Sequence, residues 1–151
     1  MTWIAHEGAS ALDIGNHDKT GNGMVFARRV FRIAGIYGLL VILPMYFLED
    51  RIGRDQPPAV THPEFFYGFL GVTLAWQVAF LVIAGDPVRF RPLMIPAVVE
   101  KAAFVIAVLL LYRSGRVSSA TLVLGLIDLT LGILFGLAFL RTATKPGSAP
   151  G

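Results

Sequence analysis

The sequence predicts an all-α membrane protein, a transmembrane four-helix bundle in which neighbouring helices are antiparallel. Hydrophobic residues make up 55% of its 151 residues and charged residues only 15%, whereas soluble domains have ~25% charged residues. Four apolar stretches approach or reach the roughly 20 residues needed to cross a bilayer, and charged residues end each of them. Because the connections between these stretches are short, consecutive helices should run in opposite directions.

The apolar stretches place the four spans at about residues 30–48, 65–84, 93–112 and 119–140. Residues 28–141 then form the transmembrane domain, preceded by an N-terminal arm at 1–27 and followed by a flexible tail at 142–151. Prolines and glycines between residues 49 and 64, and the Gly85-Asp86-Pro87 break, exclude a continuous helix between spans. Glycines and asparagines between Gly15 and Gly23 predict a loop or disordered segment in the arm.

Lysine and arginine residues indicate the orientation of the spans. Eight lie beside span ends on the side of the two termini: Lys19, Arg28, Arg29, Arg32, Arg89, Arg91, Arg141 and Lys145. Four lie on the other side: Arg51, Arg54, Arg113 and Arg116. Basic residues are more frequent in cytoplasmic loops, so we predict a multi-pass protein of the cell membrane with both termini in the cytoplasm.

Small residues mark the predicted contact faces of the first two spans. Gly35 and Gly38 should let a neighbouring helix come close to span one. In span two, Thr73 and Gln77 are predicted to lie opposite a ridge of small residues that packs against another helix: Gly68, Gly71, Ala75 and Ala79. One face of span two should therefore pack, and the other should offer polar groups.

The last two spans carry acidic residues on similar faces. Glu100 shares its face with small residues, which predicts that it points toward a packed helix: Pro96, Ala103 and Ala107. Asp128 shares its face with three glycines: Gly125, Gly132 and Gly136. We predict that Gly132 and Gly136 lie at a helix contact, because Gly-x-x-x-Gly spacing favours close approach.

Polar residues lie near the middle of each of the last three spans. They are the candidate ligand-binding or proton-handling residues of the chain: Thr73, Trp76, Gln77, Glu100, Lys101 and Asp128. A charged residue at the centre of a span costs ~2.5–3.5 kcal/mol on insertion scales. Three ionisable groups at similar depth therefore require either stabilising partners or a function.

Two interpretations of this polar layer stay open. In the structural one, Glu100 or Asp128 pairs with Lys101 or accepts hydrogen bonds from Gln77 and Trp76, and the cluster sets the register of the helices. In the functional one, the residues line a ligand pocket or handle protons. Two acids and one base leave an excess carboxyl group, which tends to keep its proton where the dielectric constant is low.

The hairpin between spans two and three resembles a known group of proteins. It reads Asp86-Pro87-x-Arg89-x-Arg91-Pro92, a tight turn between two apolar helices in a four-helix chain of this length. Over residues 65–140 the chain therefore resembles small bacterial membrane proteins loosely grouped as DoxX-like. The resemblance implies the four-helix architecture and a bacterial inner membrane, and it implies no catalytic residue.

Three classes of function fit the predicted architecture. The first, which we favour, is a non-catalytic membrane protein that binds a small apolar ligand, lipid-like or quinone-like, or a partner membrane subunit. The second is a proton-coupled small-molecule transporter. The third is an intramembrane lipid or sterol-type isomerase that uses Glu100 or Asp128 as general acid.

Composition narrows the cofactors and partners. The absence of cysteine excludes thiolate catalysis and cysteine-ligated metals. The spacing of His6, Asp13, His17 and Asp18 matches no recognised metal site, so we predict no metal and no cofactor. The arginines adjoin apolar segments, which is typical of topology signals rather than of a nucleic-acid surface. Membrane lipid, and a second copy of the chain, are the expected partners besides the ligand or subunit.

Overall fold

A computed structural model describes residues 4–55, 57 and 59–143, with side chains from Gly21 onward. This part of the chain is helical and contains no β-strand. Its five α-helices are α1 (Ile4–Met45), α2 (Glu49–Asp55), α3 (Pro63–Gly85), α4 (Met94–Arg113) and α5 (Ser119–Arg141). A 3-10 turn, Arg91–Leu93, leads into α4. The C-terminal tail beyond residue 143 lies outside the described residues.

Three helical segments are long and apolar enough to cross a membrane: Pro63–Gly85, Arg91–Arg113 and Ser119–Arg141. They confirm the last three predicted spans to within two residues. A fourth span exists only if Gly21–Met45 and Glu49–Asp55, which meet at 87°, count as one bent span. The chain is therefore a membrane protein with three or four transmembrane helices.

The first predicted span differs from the structure at both ends. Helix α1 ends at Met45, where the prediction continued to residue 48, because Pro44 cannot donate a helical hydrogen bond. At its other end α1 begins at Ile4, so the loop predicted between Gly15 and Gly23 is wrong. A glycine costs about 1 kcal/mol in a helix interior, which a long cooperative helix tolerates. The side chains of His6, Asp13, His17 and Asp18 lie outside the described residues.

The helices form two closely packed pairs, α1 with α3 and α4 with α5, which are joined mainly through α1 and α5. Helices α3 and α4 follow each other in the chain but contact each other little. Gly23 of α1 lies against the backbone carbonyl of Arg141, where a Cβ atom would overlap it. At the same end, the Arg28 guanidinium donates to the Gly85 carbonyl at 3.3 Å and satisfies the C-terminus of α3.

An aromatic core fills the half of the molecule nearest to these ends. Phe31, Phe80 and Phe135, from α1, α3 and α5, are fully buried. The rings of Phe31 and Phe135 stack with centroids 4.2 Å apart, and Phe80 meets Phe135 edge-on at 4.9 Å. Buried aromatic rings bring large apolar areas into contact, so this cluster is the main apolar contact among the three helices.

Glycines allow close approach at both helix pairs. A Cβ atom on Gly35 would come within 2.8 Å of Leu81, and one on Gly38 would overlap the Gln77 side chain, which confirms the prediction for span one. In the second pair, a Cβ atom on Gly125 would lie 2.9 Å from Val108, and one on Gly132 would lie 3.3 Å from the Lys101 Cβ.

One predicted contact face, that of α3, is wrong, and that of α5 is correct only in part. The ridge on α3 faces outward, since Gly68, Gly71 and Ala75 are exposed, and the opposite face carrying Gln77 packs against α1. Nothing lies within 4 Å of a Cβ atom built on Gly136, so only Gly132 of the predicted pair contacts another helix. Small residues permit close packing, but a lipid-facing surface carries them as well.

The prediction that Glu100 and its neighbours form the contact face of α4 is also wrong. The exposed side of α4 includes three residues of the predicted contact face: Pro96, Ala103 and Ala107. The buried face includes Ala97, Lys101, Val105 and Val108. Lys101 therefore points into the molecule, and Glu100 lies at the edge of the buried face.

We predict opposite effects for the same substitution at two glycines of α5. Gly125→Ala should lower the free energy of unfolding by about 1–3 kcal/mol, because the added methyl group overpacks against Val108. Gly136→Ala should leave it unchanged or raise it by up to about 1 kcal/mol, since alanine favours helix and meets open space. Thermal unfolding in detergent micelles measures both. Equal shifts for the two variants would contradict the packing.

Candidate functional site

A cavity of about 510 Å³ occupies the half of the molecule opposite the aromatic core. All six polar residues singled out from the sequence line it: Thr73, Trp76, Gln77, Glu100, Lys101 and Asp128. Helix α1 contributes residues from Ala34 to Met45, and α5 contributes residues from Ala120 to Leu131. The structure thus brings together groups from α3, α4 and α5 that are far apart in the chain.

The ionisable residues form a triad centred on Lys101. Its Nζ atom donates to Asp128 Oδ2 at 3.2 Å and lies 3.2 Å from Oδ1 of the same carboxylate. It also donates to Glu100 Oε1 at 3.5 Å. The Lys101 side chain is only 7% exposed, so water contributes little to stabilising its charge. The sequence left open which acid pairs with Lys101, and the structure shows that both do.

The second carboxylate oxygen of Glu100 is the unsatisfied atom of the triad. Oε2 lies 3.3 Å from Lys101 Nζ, an ion-pair distance, but off the direction needed for a hydrogen bond. It is buried and accepts no hydrogen bond from the part of the chain that the structure describes. Buried polar atoms are usually hydrogen-bonded, and Oε2 has the charge of the Lys101 ammonium beside it in place of a hydrogen bond.

Polar groups of α3 form the opposite wall of the cavity. Gln77 is 3% exposed, and its Nε2 donates to the backbone carbonyl of Thr73 at 3.0 Å. Gln77 is thus linked to Thr73, one helical turn earlier, through the Thr73 backbone. The room for Gln77 depends on Gly38 of α1, and Trp76 lies one residue before it on the cavity wall.

Apolar and aromatic residues make up most of the remaining lining. The aromatic ones, which the sequence analysis did not select, are Tyr37, Phe69 and Phe104. Lone aromatic residues in an apolar span carry no distinguishing signal, so only the packing of the helices reveals them. Ile52 of α2 also lines the cavity, which places the short helix at the end remote from the triad.

The bend between α1 and α2 is held by contacts with α3. The Tyr67 hydroxyl donates to Glu49 Oε2 at 2.8 Å, and the Tyr46 and Tyr67 rings lie 6.0 Å apart. Asp50 and Glu49 occupy the first turn of α2, where negative charge favours a helix N-terminus. These contacts keep Ile52 beside the cavity.

An acid and an imidazole lie together outside the cavity. His62 Nδ1 is 3.1 Å from Glu64 Oε1 at the exposed start of α3, and neither residue lines the cavity. Within the described residues, no group of three or more histidine, aspartate or glutamate side chains has metal-binding geometry. The site can thus offer hydrogen bonds, charge and apolar contact through the residues that line it.

We predict that removing Lys101 destabilises the protein through both acids. Lys101→Met should lower the free energy of unfolding by about 1–3 kcal/mol, because two buried carboxyl groups lose their cation and must bind protons. Double-mutant cycles with Glu100→Gln and with Asp128→Asn should each give a coupling of about 0.5–1.5 kcal/mol in micelles. Coupling below ~0.3 kcal/mol for both pairs would contradict the triad.

No family model, curated protein or solved structure matches the chain. The DoxX-like resemblance of the hairpin accordingly stays a prediction. The cavity and its triad are the features of the chain that point to a function.

Proposed function

We propose that this protein is a non-catalytic, multi-pass protein of the bacterial inner membrane that binds a small, mainly apolar molecule within the bilayer. The observation that carries the proposal is the coincidence of the 510 Å³ cavity with all six predicted polar residues. Ligand sites typically have volumes of ~300–1,000 Å³, with apolar walls and a few polar groups that orient the ligand. A lipid-like or quinone-like molecule has the matching apolar body.

The size of the cavity favours binding over a purely structural role for the triad. Protein interiors pack to crystal-like density, with few voids larger than a water molecule. A triad that served only to hold helices together would be surrounded by packed side chains, as the aromatic core is. Here Glu100, Lys101 and Asp128 instead border a cavity of about 510 Å³.

The length of the cavity suits a molecule that lies along one leaflet. Its lining on α5 extends from Ala120 to Leu131, eleven residue steps of ~1.5 Å, or ~16 Å. The hydrocarbon core of a bilayer is ~30 Å thick, so the cavity covers about half of it. The triad lies at the deep end, and Ile52 of α2 lies at the other.

We further propose that the bent α1–α2 pair is the first of four spans and that the four spans form a bundle with antiparallel neighbours. The excess of lysine and arginine on the side of residues 28, 89, 91 and 141 supports cytoplasmic termini. The contact between Arg28 and Gly85 and that between Gly23 and Arg141 support a common end for these segments.

Two other functions are weaker. A proton-coupled transporter would use Glu100 or Asp128 as a proton carrier, and the position of both, partly buried beside Lys101, is the observation in its favour. An intramembrane isomerase would need a second acid–base group against the substrate. The pairing of His62 with Glu64 outside the cavity disfavours it.

A matched pair of leucines tests the ligand site. Leu124 and Leu126 of α5 are 47% and 49% exposed, but only Leu124 lines the cavity. Leu124→Trp should fill the cavity and reduce the amount of co-purified small molecule several-fold, and Leu126→Trp should leave it unchanged. Extraction and mass spectrometry of the purified proteins measure this amount per mole of protein. Equal amounts in both variants would refute the proposal.

Single-cysteine labelling tests the orientation. The chain has no cysteine, so one introduced cysteine gives an unambiguous signal. Cysteines at positions 20 and 145 should react with a membrane-impermeant maleimide only from the cytoplasmic side, and one at position 54 only from outside. Reaction of position 54 from the cytoplasm would overturn the proposed topology.

A further inference from the structure

The triad contains more hydrogen-bond acceptors than donors. The Lys101 ammonium has three N–H donors, and the two carboxylates together have four oxygens with about eight acceptor sites. Lys101 is the only lysine or arginine that lines the cavity in the described part of the chain. The groups that remain available to a ligand at the triad are therefore chiefly acceptors.

The distances show that one cation serves two carboxylates. Lys101 Nζ lies 3.2 Å from both Asp128 oxygens, and 3.3 and 3.5 Å from the two Glu100 oxygens. The Glu100 and Asp128 side chains are 21% and 18% exposed, and both line the cavity. A donor on the ligand would therefore meet a carboxylate that holds only a share of one cation.

Charge balance leads to the same chemistry. Two carboxylates and one ammonium carry a net charge of −1 when all are ionised, and an uncompensated buried charge is costly. A ligand with one positive charge would neutralise the site. The aromatic lining adds rings whose faces attract cations, among them Trp76 and Phe104.

We infer that the ligand of this cavity is an amphipathic amine, whose protonated nitrogen pairs with the Glu100 carboxylate and whose apolar body extends toward Ile52. The inference rests on the proposed function and narrows it, because it specifies a cationic donor as the polar group of the ligand. Ligands that carry only acceptors, such as ketones, would put a lone pair beside a carboxylate oxygen. Carboxylate ligands would add a second uncompensated charge.

The experiment uses Trp76 as a reporter of the cavity. The chain has two tryptophans, so Trp3→Phe leaves Trp76 as the sole indole. This protein, in phosphatidylcholine nanodiscs, is titrated at neutral pH with four probes of equal chain length, decylamine, decanol, 2-decanone and decanoate. Partition of each probe into protein-free nanodiscs is measured separately, so that affinities refer to the concentration in the lipid.

We expect decylamine to bind about tenfold more tightly than decanol or 2-decanone, the factor that one charge-assisted hydrogen bond provides, and decanoate to bind most weakly. Glu100→Gln removes the carboxylate but keeps the Lys101–Asp128 pair, and it should abolish most of the preference for the amine. The matched control is Glu64→Gln, the same change at an exposed acid outside the cavity, which should keep the preference.

The outcomes separate the two proposals. If none of the four probes changes the Trp76 emission, the cavity is not a ligand site and both proposals fail. If decanol or 2-decanone binds as tightly as decylamine, the ligand site stands and the amine inference fails. A protonated, neutral Glu100 would give this result. If Glu100→Gln does not fold, Glu100→Asp is measured in its place. Its side chain is one methylene shorter, so its carboxylate lies farther from the ligand and the preference for the amine should weaken. An unchanged amine preference in the folded variant overturns the inference.

Discussion

The contact of Lys101 with Asp128 and Glu100 is the interaction on which the arrangement of the cavity depends. It joins α4 to α5 at the depth where the packed half of the molecule gives way to the open half. Lys101 Nζ also lies 5.6 Å from the ring of Phe80, so the charged layer rests directly on the aromatic core. A buried ammonium needs a carboxylate close to it, and the pairing of Lys101 with Asp128 that meets this need holds α4 and α5 in one register.

The two halves of the molecule differ in how closely the helices pack. Toward the ends of α3 and α5 the interior is filled by the rings of Phe31, Phe80 and Phe135 and by the methionine and alanines around them. Toward α2, the large side chains that line the cavity do not meet across it, and α3 and α4 contact each other little. The same helices therefore form a packed core at one end and border a half-open cavity of about 510 Å³ at the other.

The sequence predicts the spans well and their faces poorly. Apolar stretches that end in charges locate α3, α4 and α5 to within two residues, because the free energy of transfer into lipid depends on composition and length. The face that a helix buries depends on its partners. Gly35 and Gly38 lie at a contact because the Leu81 and Gln77 side chains of α3 occupy the space beside them, whereas Gly68 has the same chemistry and faces outward. Lys101 rather than Glu100 lies on the buried face of α4, and helical spacing alone does not distinguish the two.

The sequence identifies the six polar residues of the site because charged and polar side chains stand out in an apolar span. It does not identify Tyr37, Phe69 and Phe104 of the cavity wall, because these residues resemble the rest of their spans.

The cavity also has a thermodynamic consequence under the proposed function. A ligand that binds the folded chain and not the unfolded one adds, by mass action, RT ln(1 + [L]/Kd) to the free energy of unfolding, about 2.7 kcal/mol at a hundred times Kd. Occupancy of the site and persistence of the fold would then be one linked equilibrium, and the lifetime of this protein in its membrane should follow the supply of its ligand.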